Sequence, residues 1–135
     1  MPRSTVHMVE VQIHLVSSKT KLAPIMTMSI PRPELCGALL LSELIDAISP
    51  KLDIANYSIN YWTDSTIVLS WLARPSGTCN TFVTNRISTI NQVIDSKHWP
   101  HDASENNPAD LGSCGVHPKK LAANSLWWNG PSWLK

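Results

Sequence analysis

The chain has 135 residues, 43% of them hydrophobic, and a formal net charge of +1. That length is one domain's worth, and that apolar fraction can fill a core. Near neutrality excludes a basic tail or block as the means of holding nucleic acid, so any such contact has to come from local geometry. Taken in order, residues 6–16 alternate: Val9, Val11, Ile13 and Leu15 share one face, and Met8, Glu10, Gln12 and His14 the other, which predicts a half-buried strand. Pro24, Pro31 and Pro33 punctuate the irregular stretch 17–32 and its end, with strand-like patches around Leu22, Ile25 and Met26 able to pair with the first strand. A helix is predicted from Pro33 to Ile48, because proline suits the first helical turn and Ser49-Pro50 stops the run. Its repeat places Glu34, Ala38, Leu41, Ile45 and Ile48 on one face, with Glu34 at the top of a buried stripe.

Residues 57–63 predict a second strand, and Ser65 caps a helix whose apolar face is Ile67, Val68, Trp71 and Leu72. Arg74-Pro75-Ser76-Gly77 ends it. Val83, Ile87, Ile90 and Ile94 repeat at helical spacing and predict a further amphipathic helix, and residues 97–101 a short strand. His101 to Asn107 is a polar loop, after which Asn107 caps a helix that carries Pro108 and Asp110 in its first turn. The tail from Ser125 to Leu134, rich in Trp, Gly and Pro, is expected to be a docked extended segment without regular structure. Strands interleaved with helices predict an α/β class, a mixed sheet with helices on its faces.

Three cysteines, Cys36, Cys79 and Cys114, have no paired spacing. That speaks against a disulfide framework or a zinc site and for a reduced intracellular setting, cytoplasm or nucleus. No signal peptide is legible, and the longest apolar run, Ala38 to Leu41, is too short for a bilayer, so no membrane partner is expected.

Three carboxylates each fall at the end of a predicted element: Glu34, Asp64 and Asp110. A two-metal phosphodiesterase needs such a set, because carboxylates hold two divalent ions about 4 Å apart that stabilise the attacking and leaving oxygens. An acid at a helix start is also favoured by the helix dipole, by about 0.3–1 kcal/mol. The dipole explains one such acid taken alone; the set of three points to metal chemistry.

These frames resemble the ribonuclease H-like domain of BEL/Pao-type retrotransposon polyproteins over about residues 13–135. The residues that carry the resemblance are His14 to Pro24, Ser29-Ile30-Pro31-Arg32-Pro33-Glu34-Leu35, Tyr61-Trp62-Thr63-Asp64-Ser65, Thr81-Phe82-Val83-Thr84-Asn85-Arg86, Asn107-Pro108-Ala109-Asp110-Leu111 and Ser125 to Leu134. The resemblance implies a ribonuclease H-like mixed sheet with flanking helices, here lacking its first two strands. Residues 1–115 would form the truncated domain, and 116–135 a Trp/Pro-rich tail leading toward an integrase region. It implies Mg²⁺- or Mn²⁺-dependent hydrolysis of the RNA strand of an RNA–DNA hybrid. Glu34, Asp64 and Asp110 would be the catalytic metal ligands, and His101 would assist product release. Ser65, Asn85 and Arg86 are the expected nucleic-acid contacts. The reverse transcriptase and integrase regions of a parent polyprotein are the expected partners.

The family's first strand supplies a fourth acid that bridges both metals. Residues 1–33 hold one carboxylate, Glu10, on the strand that corresponds to the family's third, so impaired activity is expected. Gly112-Ser113-Cys114-Gly115 stands where the family has Ala-Ser-Arg-Gly, which removes an arginine. A sheet short of two strands would also present an open edge and invite self-association. Two other functions stay open: a catalytically inactive remnant that binds nucleic acid or packs against a polymerase, and an interaction domain that docks a partner through Trp127, Trp128 and Trp133.

Overall fold

The computed structural model describes residues 10–22, 29–53, 57–75 and 77–135. Among the described residues six helices succeed one another: α1 Pro31–Ile48, α2 Thr66–Leu72, α3 Thr81–Val93, α4 Asp110–Cys114, α5 Pro118–Ala122 and α6 Ser125–Asn129. Short 3-10 turns at Ser49–Lys51, Ser96–His98, Ser104–Asn106 and Ser132–Leu134 lie between or after them.

The first three helices make the core, and α1 lies chiefly against α3. Leu35 and Ala38 of α1, Val68 and Leu72 of α2, and Val83, Ile87 and Ile90 of α3 are buried together, with Ile94 and Trp99 closing the cluster just beyond α3. The α3 repeat read from the sequence is thus the packed face. In α1 the buried residues are Leu35, Ala38 and Ser42, with the Ser42 hydroxyl donating to the Leu39 carbonyl at 2.7 Å. That face is turned from the expected one: Glu34 is exposed, not at the top of a buried stripe, because Leu35 takes the inward position.

Each core helix after α1 begins where its sequence supplies a cap. Ser65 Oγ accepts from the Val68 amide at 3.2 Å, and Asn80 Oδ1 accepts from the Val83 amide at 3.1 Å. Each satisfies one of the amides that a helix start leaves unpaired. Asn80→Ala is therefore expected to cost about 1 kcal/mol, read as a melting temperature lower by roughly 4 °C in a circular dichroism melt. An unchanged melting temperature would show that water serves Val83 equally well.

The predicted mixed α/β sheet is not what forms: among the described residues there is no strand and no sheet, and the regular structure is helical. Two physical reasons are visible. Residues 10–22 run without regular structure, Val11, Leu15 and Val16 are exposed, and the Leu15 amide donates to the Trp128 carbonyl at 3.2 Å. Alternation makes a strand only when a neighbour supplies the ladder, and no neighbouring strand runs beside this segment among the described residues. Met8 and Val9 of the predicted strand, and Ile25 and Met26 of the patch thought able to pair with it, lie outside the described residues.

The second reason lies between residues 61–63 and 98–102. Thr63 and His101 form an isolated parallel bridge, with the Thr63 amide donating to the Pro100 carbonyl at 3.4 Å and the Asp102 amide to the Thr63 carbonyl at 3.1 Å. The Tyr61 amide donates to the His98 carbonyl at 3.4 Å. The reciprocal bond would have to come from the amide of Pro100, which has no N–H. The pairing therefore stays a single bridge, and the open sheet edge on which self-association was expected has no counterpart among the described residues.

The tail is corrected too. The expected extended segment contains α6, capped by Asn124 Oδ1 accepting from the Trp127 amide at 3.0 Å and ended by Gly130 at φ +67°. Trp133 packs edge-on against Trp62 with centroids 5.3 Å apart, and the Trp128 indole donates to the Leu121 carbonyl at 3.0 Å. Gly112 sits under Thr20: a Cβ there would come 2.9 Å from Thr20 Cγ2, so the small residue serves a close approach between α4 and the 10–22 segment. No helix among the described residues is long and apolar enough to cross a membrane.

Candidate active site

Asp64 occupies the turn between the bridged Thr63 and the capping Ser65, and Thr63 Oγ1 tightens this turn by accepting from the Ser65 amide at 3.2 Å. The Asp64 side chain is half-buried. Asp110 is also half-buried, at the first position of α4. Asn107 builds that helix start: its Oδ1 accepts from the Ala109 amide at 3.0 Å and its carbonyl from the Asp110 amide at 3.3 Å. Asn107 thus organises the turn ahead of the helix instead of capping it directly, since Ala109 stands in the cap position.

The charge of Asp64 reaches Asp110. The Asp110 carboxyl is held above the ordinary aspartate value, first by burial and second by the negative charge of Asp64. Both effects disfavour the charged form of Asp110. Two half-buried carboxylates within electrostatic reach of each other offer charge that suits a cation.

Glu34 reaches the same region by another route. From the first turn of α1 its Oε2 accepts from Ser65 Oγ at 2.5 Å, while the same oxygen of Ser65 accepts from the Val68 amide. Ser65 is only 6% exposed and joins the starts of α1 and α2, so its hydroxyl proton and one lone pair are spent inside the protein. Glu34 is thereby tethered to the chain neighbour of Asp64. Among the described residues, however, no group of three or more His, Cys, Asp or Glu side chains converges closely enough to hold a metal ion. What is present is an aspartate pair with a tethered glutamate beside it.

His101 is exposed and takes part in the site through its backbone bridge to Thr63. Its neighbour Asp102 was not singled out from the sequence. Asp102 is half-buried and lines, with Trp62, Asp64, Asn106, Asn107 and Trp133, a cavity of about 150 Å³. The signal for it lies in the register: once Thr63 pairs with His101 in parallel, the next residues along each segment, Asp64 and Asp102, lie side by side. Asn85 is exposed on α3. Arg86 is half-buried, its Nη1 donating to the Phe82 carbonyl at 3.1 Å and its guanidinium carbon lying 3.5 Å from the Phe82 ring centroid.

Compared with known proteins, residues 3–65 match the family model described as Pao retrotransposon-like RNaseH-like domain. No curated protein and no solved structure matches the chain. The matched stretch contains Glu34, Asp64 and Ser65, while Asn85, Arg86, His101 and Asp110 lie beyond it. As for the metal that such a domain implies, the charge of Asp64 acting on Asp110 is chemically compatible with a divalent cation near these carboxylates. A site for two ions is not assembled among the described residues.

Proposed function

We propose, on the premise that residues 3–65 are part of the ribonuclease H-like domain of a Pao-type retrotransposon, that the chain binds RNA–DNA hybrid and retains a weakened metal-dependent nuclease centre at Asp64 and Asp110. The observation that carries this is that the Asp110 carboxyl is raised by burial and, second, by the charge of Asp64, which puts the two aspartates within electrostatic reach of each other. Asp64 and Asp110 would hold a Mg²⁺ or Mn²⁺ ion, whose chemistry when bound is to polarise a phosphoryl oxygen and acidify water. Glu34 lies close by but is committed to Ser65. Freeing it would cost the hydrogen bond that joins the starts of α1 and α2, which supports the reading that cleavage is weakened. Exposed His101, bridged through its backbone to Thr63, would assist product release. The reverse transcriptase and integrase regions of a parent polyprotein are the proposed protein partners.

A second reading, an inactive remnant that binds hybrid without cutting it, is favoured by the lack of a three-carboxylate group among the described residues. A fluorescently labelled RNA–DNA hybrid tests both. The first reading expects saturable binding and slow Mn²⁺-dependent strand cleavage that disappears in Asp64→Asn. Binding with no metal-dependent product selects the second. Absence of any hybrid binding contradicts both.

A further inference from the structure

Arg32, in the first turn of α1, and Arg86, on α3, both lie over one ring. Their guanidinium carbons are 5.2 Å and 3.5 Å from the centroid of Phe82, so they are no more than 8.7 Å apart. That is within a Debye length of about 10 Å at 0.1 M salt, so the two cations feel each other. Among the described residues neither guanidinium meets a carboxylate. Phe82 offers its ring face to both, which offsets part of the repulsion but cannot neutralise two charges. Arg86 is moreover fixed in place. Its Nη1 is bonded to the Phe82 carbonyl, and its Nε is sealed from solvent with no partner, so the group is held for its remaining Nη edge. Arg32 and Phe82 each stand second in their helices, α1 of 18 residues and α3 of 13. Arg32 thus brings the first turn of α1 to the first turn of α3.

We infer that Arg32, Phe82 and Arg86 form a phosphate-binding site, and that the phosphate it takes is one in the backbone of a nucleic-acid strand. A tetrahedral anion between two guanidinium edges would neutralise the repulsion and take the planar, paired donors that arginine presents. The site shares the first turn of α1 with Glu34, and the hydrogen bond from Ser65 to Glu34 ties that turn to the chain neighbour of Asp64. A strand seated at Arg32 is thereby led toward the aspartate pair. The choice of a strand over free phosphate rests on the proposed function; the anion site itself does not.

The test uses the full chain. In NMR spectra of ¹⁵N-arginine-labelled protein, titration with inorganic phosphate is expected to shift the Arg32 and Arg86 side-chain signals with one saturating curve, and chloride at equal ionic strength is not. Arg32→Gln, which keeps the stem, is expected to weaken phosphate binding about tenfold, as loss of a charge-assisted hydrogen bond does. It is also expected to lower the salt slope of hybrid binding by about one. Equal shifts from chloride, or none from phosphate in the unmutated protein, overturn the site whether or not any variant folds. Phosphate shifts with an unchanged hybrid salt slope overturn the strand assignment. Phosphate shifts in a chain that binds no hybrid leave the anion site standing and refute the proposed function.

Discussion

Replacing Ser65 with alanine is expected to destabilise the protein by about 2 kcal/mol, a fall in melting temperature of roughly 8 °C. Two bonds go at once. The Val68 amide, at the start of a helix whose inner face is fully buried, loses its cap, worth about 1 kcal/mol. Glu34 loses the hydroxyl that donates to it, worth about another 1 kcal/mol after allowance for the exposure of that carboxylate. Because one oxygen serves both, the two effects are coupled. In a double-mutant cycle Glu34→Gln, which keeps a neutral acceptor, is expected to cost about half as much alone and close to nothing on top of Ser65→Ala. Full additivity would mean that Ser65 and Glu34 act separately and that α1 and α2 are not joined at their starts.

The second large effect concerns Asp110, and its direction separates a metal site from an ordinary helix-start acid. A carboxyl whose folded pKa is raised holds its proton more tightly when folded than when unfolded. Stability is therefore greatest below the ordinary aspartate value and is lost as the pH rises through the raised folded one. At neutral pH the charged form is present and works against the fold. Asp110→Asn removes that charge and its repulsion with Asp64, so at pH 7 without divalent metal the variant is expected to melt above the unmutated protein. Its unfolding free energy should also vary less between pH 4 and 7. With millimolar Mg²⁺ the order narrows or reverses, because only the unmutated protein gains from binding the ion. A purely helix-capping aspartate predicts the opposite, a less stable variant at neutral pH. Urea titrations at pH 4 and 7, with and without Mg²⁺, measure all four stabilities.

The three core helices were legible because each announces itself locally. The α3 face of Val83, Ile87, Ile90 and Ile94 is the packed face, and Ser65 caps α2 as its position suggests. The sheet was not legible correctly, since alternation in 10–16 and the aromatic run before Thr63 state a preference that only a partner can fulfil. One partner brings a proline at the position where an amide was needed. The short tail helices were missed although their caps are present: His117 precedes Pro118, and Asn124 stands three residues before Trp127. Each is five residues long, too short for a helical stripe to advertise it. In the site, the Asp110 carboxyl is raised first by burial and second by the charge of Asp64. Glu34 was placed one helical position from its true facing, because Leu35 outcompetes it for the interior. Asp102 escaped notice because it read as loop, and only the register between Thr63 and His101 brings it beside Asp64.

The carboxyl titration of Asp110, monitored by ¹³C NMR in the unmutated protein and in Asp64→Asn with and without Mg²⁺, tests the pairing of these two acids most directly. A midpoint above the ordinary aspartate value is predicted. It should fall part of the way back in Asp64→Asn, where burial alone remains, and fall with Mg²⁺ only when Asp64 is present. A midpoint that is the same in both proteins and indifferent to Mg²⁺ would contradict the pairing and, with it, the metal-dependent reading of the site.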